Sequence, residues 1–193
     1  MIDEKLVDIS EAVLVDGWMS EQELMWLANI ASKCAMSIEV GSWKGRSTLA
    51  IANHTQGVLC CVDAWLSMLG AANESSSSRN EAKLAYDAFQ RNLSKHIDSG
   101  RVKITRARSV VGANMLLNEY GPKSFDWVFL DGDHSYEAVK SEIEVYSKLV
   151  RVGGLMSGHD YYFEGVREAV CEAFPERVVV PIGTTIWTHV MEG

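Results

Sequence analysis

One stretch narrows the choice of fold more than any other: Glu39-Val40-Gly41-Ser42-Trp43-Lys44-Gly45-Arg46-Ser47-Thr48. A short apolar run, Ala35-Met36-Ser37-Ile38, precedes it, and the helix-forming Leu49-Ala50-Ile51-Ala52 follows. A strand that turns through glycines into a helix start is how open α/β sheets hold nucleotide-like ligands. Glycine allows positive φ and lets backbone approach a ligand closely. The acid just before the first glycine suits a ligand carrying positive charge better than one carrying phosphates.

Spacing separates this turn from two better-known glycine loops. A phosphate-cradling loop needs four residues between its glycines and then Lys-Ser/Thr. Here three residues intervene and Arg46 follows Gly45. The dinucleotide fingerprint Gly-x-Gly-x-x-Gly fails too, because Trp43 stands two places after Gly41. A bare structural turn remains the competing explanation.

With 193 residues the chain is long enough for one domain with a full core. Its net charge of −8 argues against nucleic acid as a main partner, since phosphate backbones need a basic surface. No apolar run approaches the roughly 20 residues that span a bilayer. Met1–Lys5 is charged rather than signal-like, and Cys34, Cys60, Cys61 and Cys171 lack C-x-x-C spacing. Reduced thiols in a cytoplasmic protein are the expectation.

Read in order, the chain alternates strands and helices. Ser20 and Glu23 form a capping box for a helix to about residue 34, with Met19 stapling onto Leu24. Strands are expected near 36–40, 58–63, 101–105, 125–130 and 153–157, with a β-rich pair at 177–180 and 185–190. Between them fall helices ending near His54, Gly100, Glu119, Val150 and residue 173. Residues 64–80 include a Ser run and no periodicity, which reads as a mobile loop and candidate lid. The sum is a single α/β domain, 1–193: a doubly wound, mostly parallel seven-stranded sheet with an antiparallel edge hairpin and an N-terminal helical entry over 1–35.

The polar clusters all fall at strand ends. Asp63 ends the second strand, 22 residues after Gly41, where a carboxylate can accept from both hydroxyls of a ribose; a turn or cap aspartate is the alternative. Ser109 stands where the third strand meets its helix, either as an adenine neighbour or as an N-cap. Asp131, Asp133, His134, His159 and Asp160 are the densest group. Asp131, His159 and Asp160 would give a cation two carboxylates and a nitrogen. Adjacent strand residues face opposite ways, so His159 and Asp160 can share an ion only where the strand breaks. The alternative puts Asp133 or Ser135 at a helix cap and His159 in a structural hydrogen bond. Trp43, Trp65 and Tyr161 are candidates for a pocket wall, or for core.

With these residues assembled, the chain resembles the small class I S-adenosylmethionine (SAM) methyltransferases, in the group with macrocin-type and cephalosporin-cluster O-methyltransferases. The matching stretches are I-E-V-G-S-W-K-G-R-S-T, V-D-A-W, F-D-W-V-F-L-D-G-D-H-S-Y-E and L-V-R-V-G-G-L-M-S-G-H-D-Y, within residues 36 to about 174. The resemblance implies that Glu39, Gly41 and Gly45 shape the methionine-end pocket, with Ser42, Trp43 and Ser47 in the same turn. It implies ribose binding by Asp63, flanked by Ala64 and Trp65, and adenine near Ser109. Asp131 would touch both cofactor and catalysis. Metal-dependent relatives bind Mg at positions matching Asp131 and His159-Asp160, and His159 departs from their usual carboxylate, so Mg or Mn is the ion expected here. Relatives without metal use a nearby base, here His134 or His159. The activity implied is methyl transfer to an oxygen of a small molecule or sugar, with homo-oligomerisation left open. A SAM-binding sensor or partner subunit, or a nucleoside-ligand enzyme with another cofactor, would keep the same fold.

Overall fold

The computed structural model describes residues 7–66, 76–175 and 177–192. Six strands make one sheet: β1 (Met36–Val40), β2 (Val58–Asp63), β3 (Val102–Arg106), β4 (Phe125–Leu130), β5 (Val150–Gly158) and β6 (Trp187–Val190). Their order is β3-β2-β1-β4-β5-β6, parallel except for β6, which runs antiparallel to β5. The helices are α1 (Ser10–Val13), α2 (Glu21–Ala31), α3 (Arg46–His54), α4 (Ser76–Asp98), α5 (Ser109–Tyr120), α6 (Tyr136–Tyr146) and α7 (Glu164–Ala173).

Strand composition explains the layering. Neighbouring residues face opposite sides of a sheet, and in a parallel sheet both sides are covered. Cys60 accordingly packs with Ile38, Val128 and Met156 under α5, α6 and α7, while Cys61 packs with Trp127, Phe129 and Leu59 under α2, α3 and α4. Both thiols are free and fully buried.

Register then places the chemistry. Val40 is level with Val62 and with Leu130, and Leu130 with Gly158. The residues just beyond, Gly41, Asp63, Asp131 and His159, therefore share one edge. The strand order reverses at β1, the switch point beside which such sheets take ligands.

Three expectations need correction. The edge hairpin is a single strand: residues 177–180 contribute only the bridge between Val179 and Thr188. The turn after Pro181 instead docks on α2, where Gln22 Nε2 donates to the Ile182 carbonyl at 2.9 Å, and this draws the chain off the sheet. The helix expected to run to Val150 ends at Tyr146, because Val150 already pairs with Phe125 in β5. Its apolar spacing continues into the strand, so periodicity alone misses the boundary. Finally, Ser76–Asn80 open α4 rather than close a loop; the rest of the 64–80 stretch beyond Leu66 lies outside the described residues.

Candidate active site

The glycine turn is built around a buried acid. Glu39, fully buried, accepts from Ser42 Oγ at 2.7 Å, Ser47 Oγ at 2.6 Å and the Thr48 hydroxyl. Burial pushes its carboxyl up to about 7, against the lowering effect of these hydroxyls. Glu39 is thus the internal brace of the turn, tying β1 to the first turn of α3. Gly41 and Gly45 take φ of 88° and 90°. A methyl on Gly41 would fall 1.9 Å from the Asp131 carbonyl oxygen, so only glycine lets β1 and β4 leave the sheet this close together.

Asp63 fixes the outer side of the same turn. Its oxygens accept from the backbone N–H of Trp43 at 2.8 Å and of Trp65 at 2.6 Å. Both tryptophans hold left-handed backbone, with φ of 42° and 43°. Each carboxylate oxygen has more than one acceptor site, so ligand hydroxyls can still be received. The Trp65 side chain is core, packed on Tyr86 and Phe89 with its Nε1 donating to the Trp43 carbonyl. Trp43 lies under the exposed Trp18 at 4.3 Å. The N-terminal segment is held over the turn by Arg46, which donates to the carbonyls of Met19, Val13 and Val15 at 2.9, 2.8 and 2.6 Å.

At the ends of β4 and β5 lies a dense charge-paired group. β5 ends at Gly158, and Asp160 takes left-handed backbone with φ of 58°. This break in the strand turns His159 and Asp160 toward one another. His159 Nδ1 stands 3.5 Å from Asp131 Oδ1 and 3.4 Å from Asp160 Oδ2, and its Nε2 is 3.1 Å from Glu23 Oε1. Burial disfavours the charged ring, but hydrogen bonds to Asp131, Asp160 and Glu23 outweigh it and raise His159 to about 12. His134 Nε2 meets Asp160 Oδ2 at 2.9 Å, which raises the His134 pKa. Burial raises Asp131 in spite of His159, whereas the two histidines hold Asp160 below the usual range even though burial opposes them. Ligand atoms of Asp131, His134 and Asp160 all lie within 4.8 Å of one another.

Of the residues singled out in the sequence, Glu39, Gly41, Ser42, Trp43, Gly45, Ser47 and Asp63 gather at the ends of β1 and β2 as one wall, with Glu39, Ser42 and Ser47 buried behind its surface, and Asp131, His134, His159 and Asp160 gather at the ends of β4 and β5 as the other. Ala64 follows Asp63 on the same edge. Ser109 opens α5, with Arg108 rather than Ser109 as N-cap, and its hydroxyl is buried without a hydrogen-bond partner among the described residues. Asp133 caps the loop before α6 by accepting from Ser135 N–H at 2.8 Å. Tyr161 points away from the acids, its hydroxyl 3.3 Å from Cys171 Sγ. Two participants carry no mark of a role at this site in the sequence. Glu23 serves its capping box and also reaches His159, 136 residues away. Glu142 is buried on α6 behind Gly132, its carboxyl raised by that burial to about 7. Only its place on the inward face of a helix could have drawn notice.

A family model described as a methyltransferase domain matches residues 38–161, from β1 through the residue after Asp160, and so takes in both walls. The chain belongs to this methyltransferase family. No curated protein sequence matches it. Solved structures share the methyltransferase's fold at low identity. An O-methyltransferase from Bacillus cereus, in complex with S-adenosylhomocysteine, superposes with a TM-score of 0.63 at 18% identity, over 94% of this chain and 86% of that one. A TDP-rhamnose 3'-O-methyltransferase of calicheamicin biosynthesis gives 0.60 at 12%, over 89% and 81%. A Podospora anserina methyltransferase bound to S-adenosylhomocysteine gives 0.60 at 15%, over 91% and 80%. Among the methyltransferase's described residues, no helix is long and apolar enough to cross a membrane.

Proposed function

We propose that this methyltransferase transfers the methyl of SAM to a hydroxyl oxygen of a small molecule or sugar. The observation that carries the reading is the close meeting of the glycine turn and the Asp131 loop. The crevice that would hold a nucleoside-bearing cation opens directly onto a group of acids and histidines. The sulfonium is already an activated donor, so the protein's work is to align donor and acceptor and to remove the hydroxyl proton. Asp63 receives the ribose hydroxyls, and the turn braced by Glu39 takes the methionine end.

The donors Asp131, His159 and Asp160 fit a divalent cation: two carboxylate oxygens and an imidazole nitrogen whose other ring nitrogen meets a carboxylate. Such an ion, Mg or Mn, supplies Lewis acidity that lowers the pKa of a bound hydroxyl. Binding of such an ion by His159 would require the loss of its Nδ1 proton. His134, half-exposed on Asp160, is then the group placed to take the acceptor's proton.

A second reading has its own support. The His134–Asp160 pair at 2.9 Å is a histidine oriented by a carboxylate, which can act as general base with no metal. Conversion of SAM to S-adenosylhomocysteine, measured over a panel of phenols, catechols and sugar diols with added Mg, added Mn or chelator, decides between them. Turnover abolished by chelator and restored by the ion supports the metal reading. Turnover indifferent to chelator supports the base. No turnover with any acceptor, together with no SAM binding, would contradict both.

A further inference from the structure

Glu23 lies far from the glycine turn in sequence and belongs to a helix whose evident purpose is packing. Its carboxylate nevertheless sits at the back of the acid–histidine group. Oε1 accepts from Thr185 N–H at 2.9 Å and Thr185 Oγ1 at 3.0 Å, and meets His159 Nε2 at 3.1 Å. Oε2 accepts from Ser20 N–H at 2.9 Å and Ser20 Oγ at 2.7 Å. The capping box therefore employs one oxygen, and the other is left for β5 and the segment before β6. The side chains of His159 and Glu23 are 9% and 7% exposed, so water does not compete for this contact.

We propose that Glu23 is a positioning residue for His159, and that it makes the site select a first-row transition ion over Mg. Glu23 can only accept from Nε2, so His159 must carry a hydrogen there. Nδ1 is thereby the nitrogen that can exchange its proton for an ion, at the position flanked by Asp131 Oδ1 and Asp160 Oδ2, at 3.5 and 3.4 Å. A carboxylate behind a ligating histidine fixes its tautomer and ring plane and raises its basicity, and losing such a partner typically weakens metal binding 10–100-fold. Nitrogen ligation favours Mn, Fe or Zn over the all-oxygen preference of Mg. The N-terminal helix thus contributes to the identity of the ion through a residue that touches neither cofactor nor acceptor. This rests on the metal reading of the site given above.

Direct binding of Mn and of Mg to the purified protein, by calorimetry and by the paramagnetic resonance signal of free Mn, tests it without an acceptor. Wild type is expected to bind one Mn more tightly than Mg. Glu23→Gln keeps the size and the helix, and is expected to lose Mn affinity roughly 10- to 100-fold with a smaller loss for Mg. Ser20→Ala removes a capping hydroxyl and leaves Oε1 alone; it should lower the melting temperature without changing either ion's affinity. Should E23Q melt lower yet bind Mn as wild type does, Glu23 is only a cap and the proposal fails while the metal reading stands. If wild type binds SAM but no Mn, both the metal reading and this proposal are overturned, and methyl transfer by the His134–Asp160 base survives.

Discussion

Two buried acids, Glu39 on one wall of the crevice and Asp160 on the other, are treated in opposite ways. Glu39 is surrounded by neutral hydroxyls, and burial raises its carboxyl to about 7. Asp160 and Glu23 face histidines and are held as anions below the usual range, although burial opposes this. Neutral donors suffice for a brace whose purpose is geometry, since the turn needs its hydroxyls held whether or not the acid is ionised. Paired charges suit a wall that must present fixed anions to a proton or cation. One wall is shaped and the other is charged, and they touch at Gly41 and the Asp131 carbonyl.

The substitution expected to do most harm is at that contact. Gly41→Ala puts a methyl where the Asp131 carbonyl stands and asks alanine to hold φ of 88°. SAM binding and turnover are both expected to be lost, with a clear fall in melting temperature; calorimetry with SAM and a thermal melt check it, and an alanine variant that binds SAM normally would separate the walls. Next comes Asp160→Asn, which removes the anion shared by His134 and His159 while leaving the glycine turn intact. Turnover should drop by about 100-fold or more, with the SAM dissociation constant within about 3-fold of wild type, a split visible in kcat against cofactor affinity.

Glu39→Gln is expected to act through pH. The folded carboxyl is raised from 4.5 to about 7, so the folded state binds more protons than the unfolded one in that window, and wild-type stability falls as pH rises through it. The glutamine variant lacks this slope. Its deficit relative to wild type should be greatest below about pH 4.5 and shrink by about 3 kcal/mol towards pH 8, at about 1.4 kcal/mol per pKa unit; urea melts from about pH 4 to pH 8 give the answer, and a constant gap would show that the Glu39 carboxyl is not raised in the folded state. The smallest effect is expected from Arg46→Lys. It trades a fork serving three carbonyls for a point donor, and should loosen the segment over the turn, raising protease sensitivity near Trp18 with little change in turnover.

Much of this arrangement is readable from the sequence because it is local. The capping box at Ser20 and Glu23, the glycine turn, and the acids at the ends of β2 and β4 all lie within short spacings whose physics is fixed by strand and helix geometry. The facing sides of Cys60 and Cys61 follow from strand alternation alone. What escaped the sequence is non-local. The segment at 177–180 has strand composition but keeps only the bridge from Val179 to Thr188, because the turn that follows it docks on α2. Val150 continues a helical spacing although it pairs with Phe125. The second use of Glu23 needs α2 and β5 to be in place, and no spacing along the chain encodes a contact across 136 residues. Asp160 is intermediate: the sequence required a break in the strand for it to join His159, and the left-handed backbone at Asp160 supplies that break.

The measurement that bears most directly on the division between a shaped cofactor wall and a charged acceptor wall is calorimetric titration of SAM into wild type, Asp63→Ala and Asp160→Asn. Saturable binding by wild type, lost in Asp63→Ala and retained in Asp160→Asn, is the expected result. No heat with wild type, or equal loss in both variants, would contradict it.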